Sequence, residues 1–148
     1  MSAVRRLNKP IVNFSEHLQA DLRNPTRDYI GDRLSHITPA GPGYFSLTSD
    51  DGSYVQTAGA RLKLVIEYRK LDGDSFRHYI LGRADSTERS ARQINSAVGQ
   101  INLWAHEVLD IDDAIDVFGH FLDNGAVPNR YELRDDTSRF HDLGRDEP

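Results

Sequence analysis

Hydrophobic and polar positions change their period several times along this chain. Near the start, Asn13 and Glu16 have the spacing of a capping box, and Phe14, Leu18 and Leu22 recur every fourth residue until Pro25, which predicts a first helix. From Thr26 onward, Ile30, Leu34 and Ile37 share one helical face while Arg27, Asp28, Asp32 and Arg33 are left to solvent, which predicts a second. Either helix is too short to persist alone in water, so both must dock on a sheet or on each other. The run Thr38-Pro39-Ala40-Gly41-Pro42-Gly43 then stops helical order with a turn.

Beyond that turn the period becomes two. Phe45 and Leu47 alternate with Tyr44, Ser46 and Thr48, residues 49–53 supply turn chemistry, and Tyr54 to Thr57 returns as a strand. Leu62, Leu64, Ile66 and Tyr68 face one way and Lys63, Val65, Glu67 and Arg69 the other. Residues 71–75 are too few for a crossover helix, so the next run, 76–81, pairs antiparallel with its predecessor. Residues 84–98 show no steady period and read as a loop holding a helical turn or a short strand. Ile101, Leu103 and Ala105 oppose Trp104, His106 and Val108, which predicts a strand over 100–108 that is central in the sheet or covered by a partner.

The best-defined helix covers 111–124. Asp110 and Asp113 have cap spacing, Ile111, Ala114, Ile115, Phe118, Phe121 and Leu122 make one apolar stripe, and Gly125 stands where a left-handed cap belongs. Residues 131–134 read as a short edge strand and 137–142 as a final turn with Phe140 packed inward. The expected fold is α+β: an antiparallel sheet of about five strands (44–49, 53–58, 61–70, 76–83 and 100–108) packed against N-terminal helices and a C-terminal helix. Leu64, Ile66, Ile80, Leu103, Ile115, Phe118 and Phe121 are the expected core.

A chain of 148 residues has room for one such core. It is expected to form a single domain over 13–143, between a flexible arm (1–12) and a flexible tail (144–148), both poor in apolar surface. No window approaches the ~20 apolar residues of a membrane-spanning helix. Arg5 and Arg6 precede no hydrophobic run, so a cytoplasmic, reducing location is expected. With no cysteine, disulfides, thiolate metal sites and a thiol nucleophile are excluded. The net charge of −5 conceals an asymmetry: residues 1–92 carry a balance of +3 and residues 93–148 one of −8. An acidic C-terminal third repels phosphate backbones and attracts a basic protein.

Motifs with chemistry are scarce. P-loop, dinucleotide, nucleophile-elbow and paired-histidine signatures are missing, and Gly41-Pro42-Gly43 lacks one of the amides a phosphate loop uses. His17, His36, His78, His106, His120 and His141 have no ligand spacing, and Asp110, Asp112, Asp113 and Asp116 do not follow a calcium loop. His78 with Glu67, on neighbouring strands, is the best catalytic pair, but nothing beside it needs activating, so it reads as a cross-strand contact. His106 and Glu107, as strand neighbours, would point to opposite faces. The basic stripe Arg61, Lys63, Arg69, Lys70, Arg77 and Arg83, interleaved with Tyr68, Phe76 and Tyr79, would suit nucleic acid but is interrupted by Glu67. No enzyme activity, cofactor, metal or direct nucleic-acid binding is expected.

Four segments stand in a telling order: Gly52-Ser53-Tyr54-Val55-Gln56-Thr57-Ala58-Gly59, Val65-Ile66-Glu67-Tyr68-Arg69, Phe76-Arg77-His78-Tyr79, and Asp113-Ala114-Ile115-Asp116-Val117-Phe118 with Phe121 beyond. Over about residues 43–134 this order resembles small bacterial immunity proteins of polymorphic toxin systems, including the Imm1-like proteins. It departs from the Imm1-like pattern in having Tyr131, and no tryptophan, after Pro128. The resemblance implies a stoichiometric inhibitor that covers the active site of a cognate protein toxin, such as a nuclease or nucleic-acid deaminase with a basic cleft. Asp112, Asp116, Glu132, Asp135 and Asp136 are the expected partner-binding residues, because the first two share a helix side and all lie in the acidic third. An adaptor or regulatory protein-binding module is the alternative.

Overall fold

The alternating runs in the middle of the chain become the centre of a seven-stranded antiparallel sheet. The computed structural model describes residues 12–140, so the expected tail, and the expected arm apart from Val12, lie outside the described residues. The sheet is built from β1 (Val12–Glu16), β2 (Leu22–Arg23), β3 (Tyr44–Ser49), β4 (Tyr54–Ala60), β5 (Lys63–Asp72), β6 (Ser75–Arg83) and β9 (Tyr131–Asp135). Its spatial order is β2-β1-β3-β4-β5-β6-β9. Strands β7 (Ala91–Ser96) and β8 (Gly99–Trp104) form a separate two-stranded ribbon. The β5–β6 hairpin closes from Asp72 to Ser75 through Gly73, whose φ of 64° is one a side chain would resist.

Helix α1 (Arg27–Leu34) begins where Thr26 accepts a hydrogen bond from the Tyr29 amide at 3.1 Å, and it buries Ile30 and Leu34. Helix α2 (Ile111–Asn124) opens on the expected capping box: Asp110 accepts from the Asp113 amide at 3.2 Å, and Asp113 accepts from the Asp110 amide at 3.1 Å. It closes on Gly125 at φ 70°. Both helices cover one face of the sheet, where Phe45, Leu47, Val55, Leu64, Ile66 and Leu81 meet Val117, Phe118 and Phe121 in the main core. A second, smaller cluster of Val65, Ile80, Ile94 and Leu103 fastens the ribbon to the opposite face.

Three expectations are corrected. The helix over 13–22 is instead strand β1, a turn and β2, and Phe14 and Leu22, the supposed helical stripe, are cross-strand partners. The alternation of Val12, Phe14 and Glu16 toward the core was masked by a charge at its third inward position; Glu16 is buried because Arg33 of α1 grips its carboxylate with two nitrogens. Leu18, at φ 62° and 87 % exposed, lies in the connecting turn. The strand over 100–108 stops at Trp104, continues as a 3-10 turn (Ala105–Glu107), and belongs to the ribbon rather than to the centre of the sheet. Its two-sided apolar pattern mixes Ile101 and Leu103, which pack toward the sheet, with Trp104, which is exposed, and His106, which is buried in the 3-10 turn; just beyond, Leu109 exchanges both backbone hydrogen bonds with Leu64 at 2.9 Å. Ile115 is only partly buried, at the margin of the main core.

Candidate functional site

The face of the sheet turned away from the helices carries charge at its middle. Register sets Gln56 beside Glu67, and Tyr54, Arg69 and His78 in one row across β4, β5 and β6. The His78 ring is fully buried, with Nε2 2.7 Å from Glu67 Oε1 and Nδ1 3.1 Å from Arg69 Nε. A guanidinium nitrogen only donates, so Nδ1 must accept, and the proton sits on Nε2 and is donated to the carboxylate. The His78 backbone amide donates to Thr137 Oγ1 at 2.9 Å, and the ring lies 4.4 Å from that of Phe140.

Glu67 also accepts from Gln56 Nε2 at 3.1 Å and from Arg139 Nη2 at 3.0 Å. Burial presses its pKa upward, but the bonds from His78 and Gln56 and the Arg139 guanidinium outweigh it and hold the carboxyl below its ordinary range. Arg69 packs its guanidinium over Phe76 (4.1 Å), Phe140 (4.3 Å) and, farther off, Tyr54 (5.5 Å). Burial raises the Tyr54 hydroxyl above its usual pKa, against the opposing charge of Arg69. Residues 137–140, read from the sequence as part of a final turn, are helical, and a cleft of roughly 400 Å³ runs beside Glu67 between the ribbon and this helical segment, walled by Val98 and Ile101 and by Arg134 and Arg139.

This network has the geometry of a lock. A general base needs a free lone pair facing a substrate, whereas both ring nitrogens of His78 are engaged and the ring is shut off from solvent. The pairing of His78 with Glu67 is the cross-strand contact that register implied.

The five acidic residues singled out from the sequence are dispersed among counter-ions. Asp112 is exposed on the first turn of α2, and Asp116, one turn on, lies 2.6 Å from Arg130. Glu132 meets Arg89 at 3.0 Å and His106 at 3.7 Å, while Asp135 meets Arg77 at 3.4 Å. Asp136 meets Arg139 at 2.7 Å and Arg134 at 3.8 Å. The arginines are what charge counting missed. Arg83 likewise leaves the expected basic stripe to reach Asp113 at 2.6 Å under the start of α2, where Tyr131 Oη donates to the same carboxylate at 2.7 Å and is pushed well above the ordinary tyrosine pKa, first by burial and then by that bond. Tyr68 and Tyr79 face the helices, on the opposite side from Arg69 and Phe76, so the basic and aromatic residues form no single platform.

His106 and Glu107 depart from the strand geometry expected of them. Both are buried in the 3-10 turn, with Glu107 held by Arg134 at 2.7 and 3.0 Å and accepting from the Trp104 amide at 3.0 Å. His106 fits because Gly82 has no side chain: a Cβ there would stand 2.4 Å from His106 Cδ2. Among the described residues, no three His, Asp or Glu side chains are grouped to hold a metal ion, and no helix is long and apolar enough to cross a membrane. Neither a protein-family model nor a curated protein matches the chain.

Proposed function

We propose that this chain is a non-catalytic binding protein that neutralises a cognate bacterial protein toxin in the cytoplasm by covering its active site. The observation that carries the reading is the closure of the His78–Glu67 pair: the one couple with a catalytic look spends its hydrogen bonds inside the protein, leaving surface rather than chemistry as the working part. A toxin of the nuclease or nucleic-acid deaminase class, with a basic cleft, is the partner that best suits the excess acid of residues 93–148. Asp112 and Asp116 on α2, with Glu132, Asp135 and Asp136 on and after β9, are the proposed acidic contacts. The arginine partners of Asp116, Glu132 and Asp135 are exposed and would exchange carboxylates at little cost on docking.

The experiment is to express the C-terminal domain of the protein encoded by the adjacent reading frame, test it for toxicity, and follow its association with this chain by stopped flow. Converting Asp112, Asp116, Asp135 and Asp136 together to asparagine should slow association about tenfold at low salt and weaken its salt dependence. Association rates that ignore both the substitutions and the salt would rule out acidic steering. Failure of the chain to protect cells from that domain would end the toxin reading.

A further inference from the structure

Arg69 stands apart from the other half-buried arginines. Arg33 and Arg134 each close on a carboxylate with two nitrogens, Glu16 and Glu107 respectively. Among the described residues Arg69 has no carboxylate within salt-bridge reach; its Nε is spent on His78, and its two Nη groups make no hydrogen bond there yet are not shut off from solvent. Rings on three sides, from Phe76, Phe140 and Tyr54, hold the guanidinium plane in place. Contact with ring faces offsets part of the cost of drawing a cation out of water, but it cannot supply the anion that the outward Nη groups are arranged to grip.

We propose that Arg69 is an anion receptor whose outward Nη groups take one carboxylate, from an Asp or Glu side chain of a partner protein. The chemistry favours a single carboxylate over a phosphate chain. Arg139, which shares the Phe140 ring with Arg69, is already closed on Glu67 and Asp136, so a polyanion laid across that side would find two carboxylates and a cation already paired with them. A lone carboxylate at the fork would not extend that far. An arginine fixed at the centre of an aromatic rim is also the usual anatomy of an interface hot spot, because the rim excludes water from the charged pair. The receptor deepens the binding reading by adding a site of opposite sign to the acidic contacts. The anion site rests on geometry alone, and only the identity of its carboxylate donor rests on that reading.

The test uses the full chain and NMR of arginine Nε–Hε groups, with sodium acetate as probe against sodium chloride at equal ionic strength. Acetate should move the Arg69 signal and the Tyr54 and Phe76 ring signals saturably, leaving those of Arg33 and Arg134 in place. The ring shifts should vanish in Arg69→Lys, which keeps the charge and loses the fork; amide dispersion reports whether that variant folds, and the wild-type comparison stands without it. An Arg69 signal indifferent to acetate overturns the proposal. So does a single-stranded oligonucleotide that displaces acetate, which would make the surface a nucleic-acid site. A response seen only after Asp142, Asp146 and Glu147 are changed to amides overturns it too, since the chain's own carboxylates would be the occupant. With the toxin domain, Arg69→Lys should weaken capture roughly thirtyfold. Undiminished capture would refute the partner's use of the receptor while leaving the toxin reading intact; acetate binding without toxin capture would do the reverse.

Discussion

The two faces of the seven-stranded sheet are fastened by different physics. Beneath the helices, Phe45, Leu47, Val55, Leu64, Ile66 and Leu81 are fully buried, and adhesion scales with apolar area removed from water. On the opposite face a small apolar cluster holds the ribbon, and beside it Glu67, His78 and Arg69 are held by hydrogen bonds whose gain on formation is modest and whose loss leaves polar atoms stranded. The first face tolerates a poor contact in proportion to its area. The second depends on every member being present.

Substitution on the helix face should therefore give the largest effect. Phe118→Ala, at a fully buried position of α2, should cost about 3–5 kcal/mol in urea unfolding. A loss below that of an exposed salt bridge would place the main core elsewhere. On the polar face, Glu67→Gln should cost about 1–3 kcal/mol at pH 7, because bonds from His78 and Arg139 lose their charged acceptor. It should also change the response to acid. The Glu67 carboxyl has a folded pKa below its unfolded value, so its contribution is complete above the unfolded pKa, near 4.3, and disappears as pH falls through the folded one. Urea midpoints between pH 7 and pH 3 should fall less steeply in Glu67→Gln than in wild type. Some slope should remain, since Asp51, bonded by Ser49 and by the Ser53 amide, is also held below its usual pKa. Equal slopes in the two proteins would remove Glu67 from the account. The smallest effect belongs to the exposed rim: Arg77→Ala, breaking a 3.4 Å pair with Asp135 in which both side chains are largely in solvent, should change stability by no more than about 1 kcal/mol.

Legibility in the sequence divides along the same line. Helix α2 could be read to the residue because cap, stripe and terminal glycine agree. The strands between 44 and 83 could be read because each alternates over a full run. Strand β7 was hidden, since only Ile94 of its six residues is buried, and β1 was hidden by the inward charge of Glu16. At the polar site, register alone gave the nearness of His78 and Glu67. It could not give the surroundings of Arg69, because Phe140 reaches that arginine from a helical segment that follows β9, some seventy residues along the chain. In the acidic third, the charges were countable, but the arginines that neutralise them arrive through tertiary folding, Arg77 and Arg89 from before the acidic third begins.

The place of β9 also bears on how the chain assembles. Strands β3 to β6 are joined by tight turns, so the closure entropy of that meander is small and it can form early. Strand β9 pairs with β6 only after the ribbon and α2 have been made, so a chain emerging from the ribosome exposes β6 as a bare edge until β9 arrives. During that interval His78 lacks both the Thr137 acceptor for its amide and the Phe140 ring that packs against it, and completion of the polar face waits for residues 131–140 to be made.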